Sequence, residues 1–168
     1  RSIRRAELLG GVSFEFTDLL RGEVAIGYID QRFTSGGAKG FSGLGGRAEL
    51  EYQPTRLTSI RVDASRTIQD AGNPLAPSFR RTRFGARVDH ELLRQLLLTA
   101  TVDYEKAQFQ LPTLTERRPH AGLSGQYLLN RHVTVFARYD HLRVTSRPAS
   151  VGRRFSDNIV SVGALLKP

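Results

Sequence analysis

Apolar and polar residues alternate one by one over most of this chain. Residues 117–144, RRPHAGLSGQYLLNRHVTVFARYDHLRV, show the pattern most plainly. Ala121, Leu123, Gly125, Tyr127 and Leu129 share one parity, and His120, Gly122, Ser124 and Gln126 the other. Beyond a polar break at Asn130–Arg131, Val133, Val135, Ala137, Tyr139 and His141 alternate with Thr134, Phe136, Arg138 and Asp140. Successive strand side chains point to opposite faces, so this stretch predicts a hairpin with an aliphatic face and a mostly polar one.

The same alternation recurs along the chain. It predicts strands over 5–16, 23–33, 43–52, 58–68, 79–92, 96–109 and 154–167, besides the two arms of the hairpin. Between them fall breaks at 17–22, 53–57, 93–95 and 130–131 and longer Gly/Pro/Ser-containing loops at 34–42, 69–78, 110–116 and 146–153. The strands number about nine and run to about ten to fourteen residues; ordinary sheet strands are about 5–6 and tilted membrane strands about 9–11. Short and long connections alternate, as in barrels with short periplasmic turns and longer external loops. Placing the last strand's end at the periplasm puts every long loop outside, and also puts Arg1 outside. Both termini of a complete barrel are periplasmic, so strands are expected before Arg1. The fold class predicted is all-β: an antiparallel up-and-down transmembrane β-barrel. Residues 1–168 would be a single barrel domain, the C-terminal part of a larger barrel.

Composition narrows the alternatives. The 168 residues contain no Cys, so neither disulfides nor thiolate chemistry enter. The densest apolar run is near Leu96–Leu98, far short of the roughly 18–20 residues of a membrane helix. All five Tyr fall on the aliphatic parity. Tyr28, Tyr104 and Tyr139 are placed toward the outer strand ends and Tyr52 and Tyr127 toward the inner, as two aromatic girdles.

The other parity carries charge at mid-strand: Arg47, Glu49, Glu51, Arg61, Asp63, Arg83, Arg87, Asp89, Asp103 and Arg138, with Glu7 and Glu15. An arginine or lysine facing the bilayer midplane costs about 2–4 kcal/mol, so this face is expected to line a wet lumen. Across the tight turns, Arg61 is expected to meet Glu49 or Glu51, and Arg87 to meet Asp103. These residues form either a structural ladder or a pore lining that selects solutes.

The net charge of +9 gathers at the loop ends of the strands. Arg32, Arg80, Arg81, Arg117, Arg118, Arg147, Arg153 and Arg154 make an external basic rim there, with Lys106 and Arg143 nearby. Guanidinium groups hold phosphate and carboxylate bidentately. The expected partners are therefore outer-membrane lipid, lipopolysaccharide phosphates and acidic polysaccharide, with the barrel-assembly machinery for insertion. No nucleic-acid motif is present. The four His lack metal spacing. His120, Asp140 and Ser124 share a face, but a rim pair is expected rather than a triad. No enzyme activity, cofactor or metal is expected.

The segments GYIDQRF (27–33), YQPTRLTSIRVDASRT (52–67), HELLRQLLLTATVDYE (90–105), GLSGQYLLNRHVTVFARYDH (122–141) and NIVSVGALLKP (158–168) resemble bacterial outer-membrane β-barrel proteins of the porin type associated with exopolysaccharide gene clusters. The resemblance implies a porin-like or export-associated passive channel in the outer membrane, linked to surface polysaccharide. Such barrels finish on an aromatic residue, whereas this chain finishes on Leu166, Lys167 and Pro168. Two other readings remain: a soluble lipocalin-like barrel with the aliphatic face inward, and a non-conducting structural barrel of the envelope.

Overall fold

In a computed structural model the described residues are 3–33, 41–73, 76–109, 113–148 and 152–166. They form one antiparallel sheet of nine strands in chain order. The strands are β1 (Ile3–Thr17), β2 (Leu20–Phe33), β3 (Phe41–Thr55), β4 (Thr58–Asn73), β5 (Ala76–Leu93), β6 (Leu96–Phe109), β7 (Leu114–Leu128), β8 (Val133–Arg147) and β9 (Arg154–Leu166). Each pairs with its sequence neighbours, and among the described residues no ladder joins β1 to β9.

The tight turns are built by local side chains. The Thr17 hydroxyl accepts a hydrogen bond from the Leu19 amide (3.2 Å), and the Thr55 hydroxyl one from the Leu57 amide (3.3 Å). In the break before β8, Asn130 Oδ1 accepts from the amides of His132 (2.8 Å) and Val133 (2.9 Å). Short polar side chains that bond the backbone two residues on favour a reversal of direction. Pro54 lies inside β3, where the register slips between Tyr52 and Thr55; the irregularity accommodates a residue with no N–H to donate.

Most strands are longer than the alternation predicts, up to 18 residues in β5, while β6 keeps the expected 96–109 and β9 runs to 13 residues. The largest correction concerns 69–78, expected as a loop. The β4–β5 ladder continues through Gln69↔Phe79 and Asp70↔Ser78 to Asn73↔Ala76. Extended backbone pairing overrides the turn-forming composition there. Parts of the expected loops at 34–42, 110–116 and 146–153 lie outside the described residues.

A continuous register keeps each parity on one side of the sheet. The line Val24↔Ala48↔Ala64↔Phe84↔Tyr104 runs over the aliphatic face. The line Asp103↔His120 and Gly122↔Asp140 runs over the charged one. No second layer covers either face among the described residues, yet their accessibility differs sharply. Leu8 (80 %) and Val162 (79 %) on the aliphatic face stand almost fully exposed. Gln31 (2 %), Thr99 (8 %) and Glu116 (5 %) on the charged face are buried. A single layer shelters one side only by curving toward it, so the charged face is the concave one.

Beyond Gly46↔Arg66, β4 parts from β3. There Ile68 packs against Ile29 of the charged face, and both are buried. The β4–β5 hairpin thus leans over the concave side.

Candidate functional site

The concave face is an ionic surface. The ten charged residues expected to share a face, from Arg47 to Arg138, do so in the structure. At the turn end, Arg21 bonds Glu51 (2.7 Å) and Arg47 bonds Glu23 (2.7 Å). Arg61 sits 4.0 Å from Glu49 and 3.5 Å from Glu51, where the sequence places it.

The expected Arg87–Asp103 pair does not form. Arg87 turns along its own strand to Asp89 (2.7 Å), whose carboxylate also accepts from the Thr99 hydroxyl (2.6 Å). Register explains the choice: Arg87 stands opposite Thr101, and Gly85 stands opposite Asp103. Asp103 instead takes Arg83 (3.0 Å).

From Asp103 a chain of contacts crosses to β8. His120 Nδ1 lies 3.3 Å from Asp103 and Nε2 2.9 Å from Asp140, which Arg138 binds in turn at 2.9 Å. Gly122 leaves the space for this: a Cβ there would fall 2.7 Å from Thr101 Oγ1 and 2.8 Å from Asp140 Oδ1. Both ring nitrogens of His120 are thus engaged by carboxylates, and Ser124 is not among its partners. Asp63 contributes packing over Gly85, whose Cβ position lies 2.5 Å from its carboxylate.

The basic rim splits by parity, a division that sequence reasoning missed. Arg81, Arg118 and Arg153 lie on the charged side. Arg81 pairs with Glu105, Arg118 with Glu116 and Glu105, and Arg153 approaches Glu116 at 3.8 Å. Arg117, Arg147 and Arg154 lie on the aliphatic parity, as do Lys106 and Arg143. Arg80 falls on that parity too, but the leaning hairpin brings its Nη2 to 3.3 Å from the Cβ position of Gly43. Arg32 lies in β2 opposite Arg4, and its side chain is outside the described residues. Counting by twos from Tyr104 to Lys106, or from Tyr139 to Arg143 and Arg147, would have separated the two sets.

The five Tyr occupy the aliphatic face, all partly exposed. Tyr52 and Tyr127 stand near the turn ends of β3 and β7, and Tyr28 and Tyr104 just past the middle of β2 and β6 on the loop side. Tyr139 lies near the middle of β8 rather than toward its outer end. The Tyr127 hydroxyl donates to Gln95 (3.1 Å) and the Tyr139 hydroxyl to Asn158 (2.8 Å), so each ring keeps a polar tip and an apolar body.

Residues 1–167 match the family described as "Putative beta-barrel porin 2". Among solved structures, in-vitro folded OmpT, an outer membrane protein of Vibrio cholerae, superposes with a TM-score of 0.59 at 17% identity, over 98% of this chain and 55% of that one. A loop L8 deletion mutant of OmpT gives 0.57 at 16% identity, over 98% and 53%. The NanC porin gives 0.56 at 14% identity, over 98% and 79%. The chain therefore spans about half the length of the OmpT chains it matches. Among curated protein sequences none matches.

Proposed function

This chain belongs to the β-barrel porin 2 family and is an outer-membrane, porin-like β-barrel of bacteria, and from that premise we propose a passive aqueous channel. In this reading lipid meets the aliphatic face, and the concave face with its ion pairs lines the lumen. The carrying observation is the contrast between exposed valines and leucines on one face and, on the other, ion pairs set among buried polar residues such as Thr99 and Glu116. A soluble lipocalin-like barrel needs the reverse arrangement, with the aliphatic face inward. The magnitudes agree: each mid-strand arginine turned to lipid would cost about 2–4 kcal/mol, whereas exposed ion pairs in water are worth only about 0–1 kcal/mol either way.

The solute class we assign is hydrophilic and hydroxyl-rich, such as segments of surface polysaccharide. Alternating guanidinium and carboxylate groups, with Thr and Ser between them, offer donors and acceptors together. Because Arg81 and Arg118 are matched by Glu105 and Glu116, the rim on this side adds little field for an acidic chain. Neutral oligosaccharides should therefore enter as readily as acidic ones.

Planar-bilayer recording on the purified protein tests this. The expected result is a stepwise conductance with weak preference between potassium and chloride, reversibly blocked by neutral and acidic oligosaccharides alike. Absence of conductance would favour a structural envelope barrel, and a strong preference for anionic sugars would contradict the pairing argument.

A further inference from the structure

Among the described residues of strands β6, β7 and β8, the positive charge without an ion pair lies on the side opposite the ionic surface. Lys106 of β6, Arg117 of β7 and Arg143 and Arg147 of β8 line one groove of about 370 Å³, together with Tyr104 and Pro119. All stand on the aliphatic parity. Lys106 is directly opposite Arg117 across the β6–β7 ladder. Like charges facing each other across a ladder destabilise a sheet. None of the four has an ion pair with a carboxylate among the described residues. The face offers none, because every Asp and Glu from β5 to β9 falls on the other parity. Four cations gathered without a counter-charge, at the level of a tyrosine, describe a seat for an anion.

The same strands continue into a second depression. It holds about 550 Å³, is almost wholly apolar, and is floored by Ala100, Gly125 and Ala137 between Leu98, Leu123 and Tyr139. On each of the three strands a single outward residue separates the two hollows: Val102, Ala121 and His141. A basic groove directly above an apolar one, on the face that meets the bilayer, matches an amphiphile with a phosphorylated head and acyl tails.

We propose that β6, β7 and β8 bind a phosphorylated, acylated lipid of the outer leaflet, its phosphate held by Lys106, Arg117, Arg143 and Arg147 and its chains in the apolar hollow. The proposal rests on the reading that the aliphatic face meets the bilayer. It also assigns the rim two duties. The arginines on the ionic side close the ladder, and those on the outer side hold lipid.

The test measures binding of fluorescent bis-phosphorylated lipid A and of its dephosphorylated form to the protein purified from outer membranes in detergent. The quadruple variant Lys106→Gln, Arg117→Gln, Arg143→Gln, Arg147→Gln is compared with Arg153→Gln, which changes a rim arginine of the other face. Basic residues near an anionic surface contribute enough individually that the wild type should prefer the phosphorylated form by about tenfold or more. The quadruple variant should lose that preference, and Arg153→Gln should keep it. Millimolar inorganic phosphate should not compete, because the apolar hollow supplies part of the binding. Equal binding of both lipids, or an unchanged preference in the quadruple variant, would overturn the lipid seat. Full competition by inorganic phosphate would overturn it too, in favour of a free-phosphate site. Heat-modifiable electrophoretic mobility in the same samples reports the barrel independently. A protein with that mobility and no phosphate preference loses only the lipid seat. One that stays soluble without detergent loses the barrel reading and the seat with it.

Discussion

At the scale of single residues, the ionic face depends on glycine as much as on charge. His120 reaches Asp103 on one side and Asp140 on the other because Gly122, opposite both Thr101 and Asp140, has no side chain. A methyl group there would press on two polar atoms at 2.7 and 2.8 Å, both short of ordinary contact. Gly27 is tighter still: a Cβ would fall 1.7 Å from the Leu8 carbonyl oxygen, so β1 and β2 approach only because that position is bare. Overpacking costs about 1–3 kcal/mol. Gly122→Ala should therefore lower the unfolding free energy in lipid vesicles by about that amount, while leaving the far-ultraviolet β signal intact. An unchanged stability would show that the His120 contacts have more room than the geometry gives them. None of this could be read from the sequence, since a glycine at a strand position signals weakness or close approach without saying which. The Arg87–Asp103 expectation failed for a related reason. Alternation places a side chain on a face, but the choice between a diagonal partner and Asp89 two residues along depends on register and rotamer.

At the scale of the strand, alternation did most of the work. Parity alone put Arg47, Glu49 and Arg61 on one side and Val24, Leu44 and Val102 on the other, and the ladders keep those assignments. Strand ends were less legible. The Asp/Gly/Asn/Pro composition of 69–78 reads as a loop, yet backbone pairing carries β4 and β5 through most of it, and the extended hairpin leans over the concave side. The two parities make an asymmetric prediction on one strand. Val102→Arg, on the exposed aliphatic face of β6, should cost about 2–4 kcal/mol in reversible unfolding from lipid vesicles. Thr101→Arg, one residue away on the ionic face, should cost less even though it stands opposite Arg87. Similar costs at both positions would mean that the two faces of β6 see the same medium.

At the scale of the molecule, the sheet distributes polarity in the reverse of the order expected for a soluble sheet. Its large aliphatic side chains are outermost, while Glu51, Glu105, Glu116 and Asp140 on the other face are sheltered. Solvent-facing antiparallel sheets place their hydrophobic side on a core. Here no core exists on that side among the described residues, so the surrounding medium must itself be apolar. Membership in a porin family and likeness to outer-membrane barrels supply that medium. The sequence carried this far because a barrel wall is one layer thick, and parity along a strand is then the same thing as side of the wall. It could not carry the curvature, the leaning hairpin or the two-way division of the basic rim, which depend on how neighbouring strands stagger. The most direct test of the whole account uses the absence of cysteine. Single cysteines at 98 to 103 on β6, spin-labelled in lipid vesicles, are scanned for collision with oxygen, which concentrates in hydrocarbon, and with a water-soluble nickel chelate. The account predicts a strict period of two, with oxygen favoured at Leu98, Ala100 and Val102 and the chelate at Thr99, Thr101 and Asp103. A reversed phase, or no alternation, would contradict it.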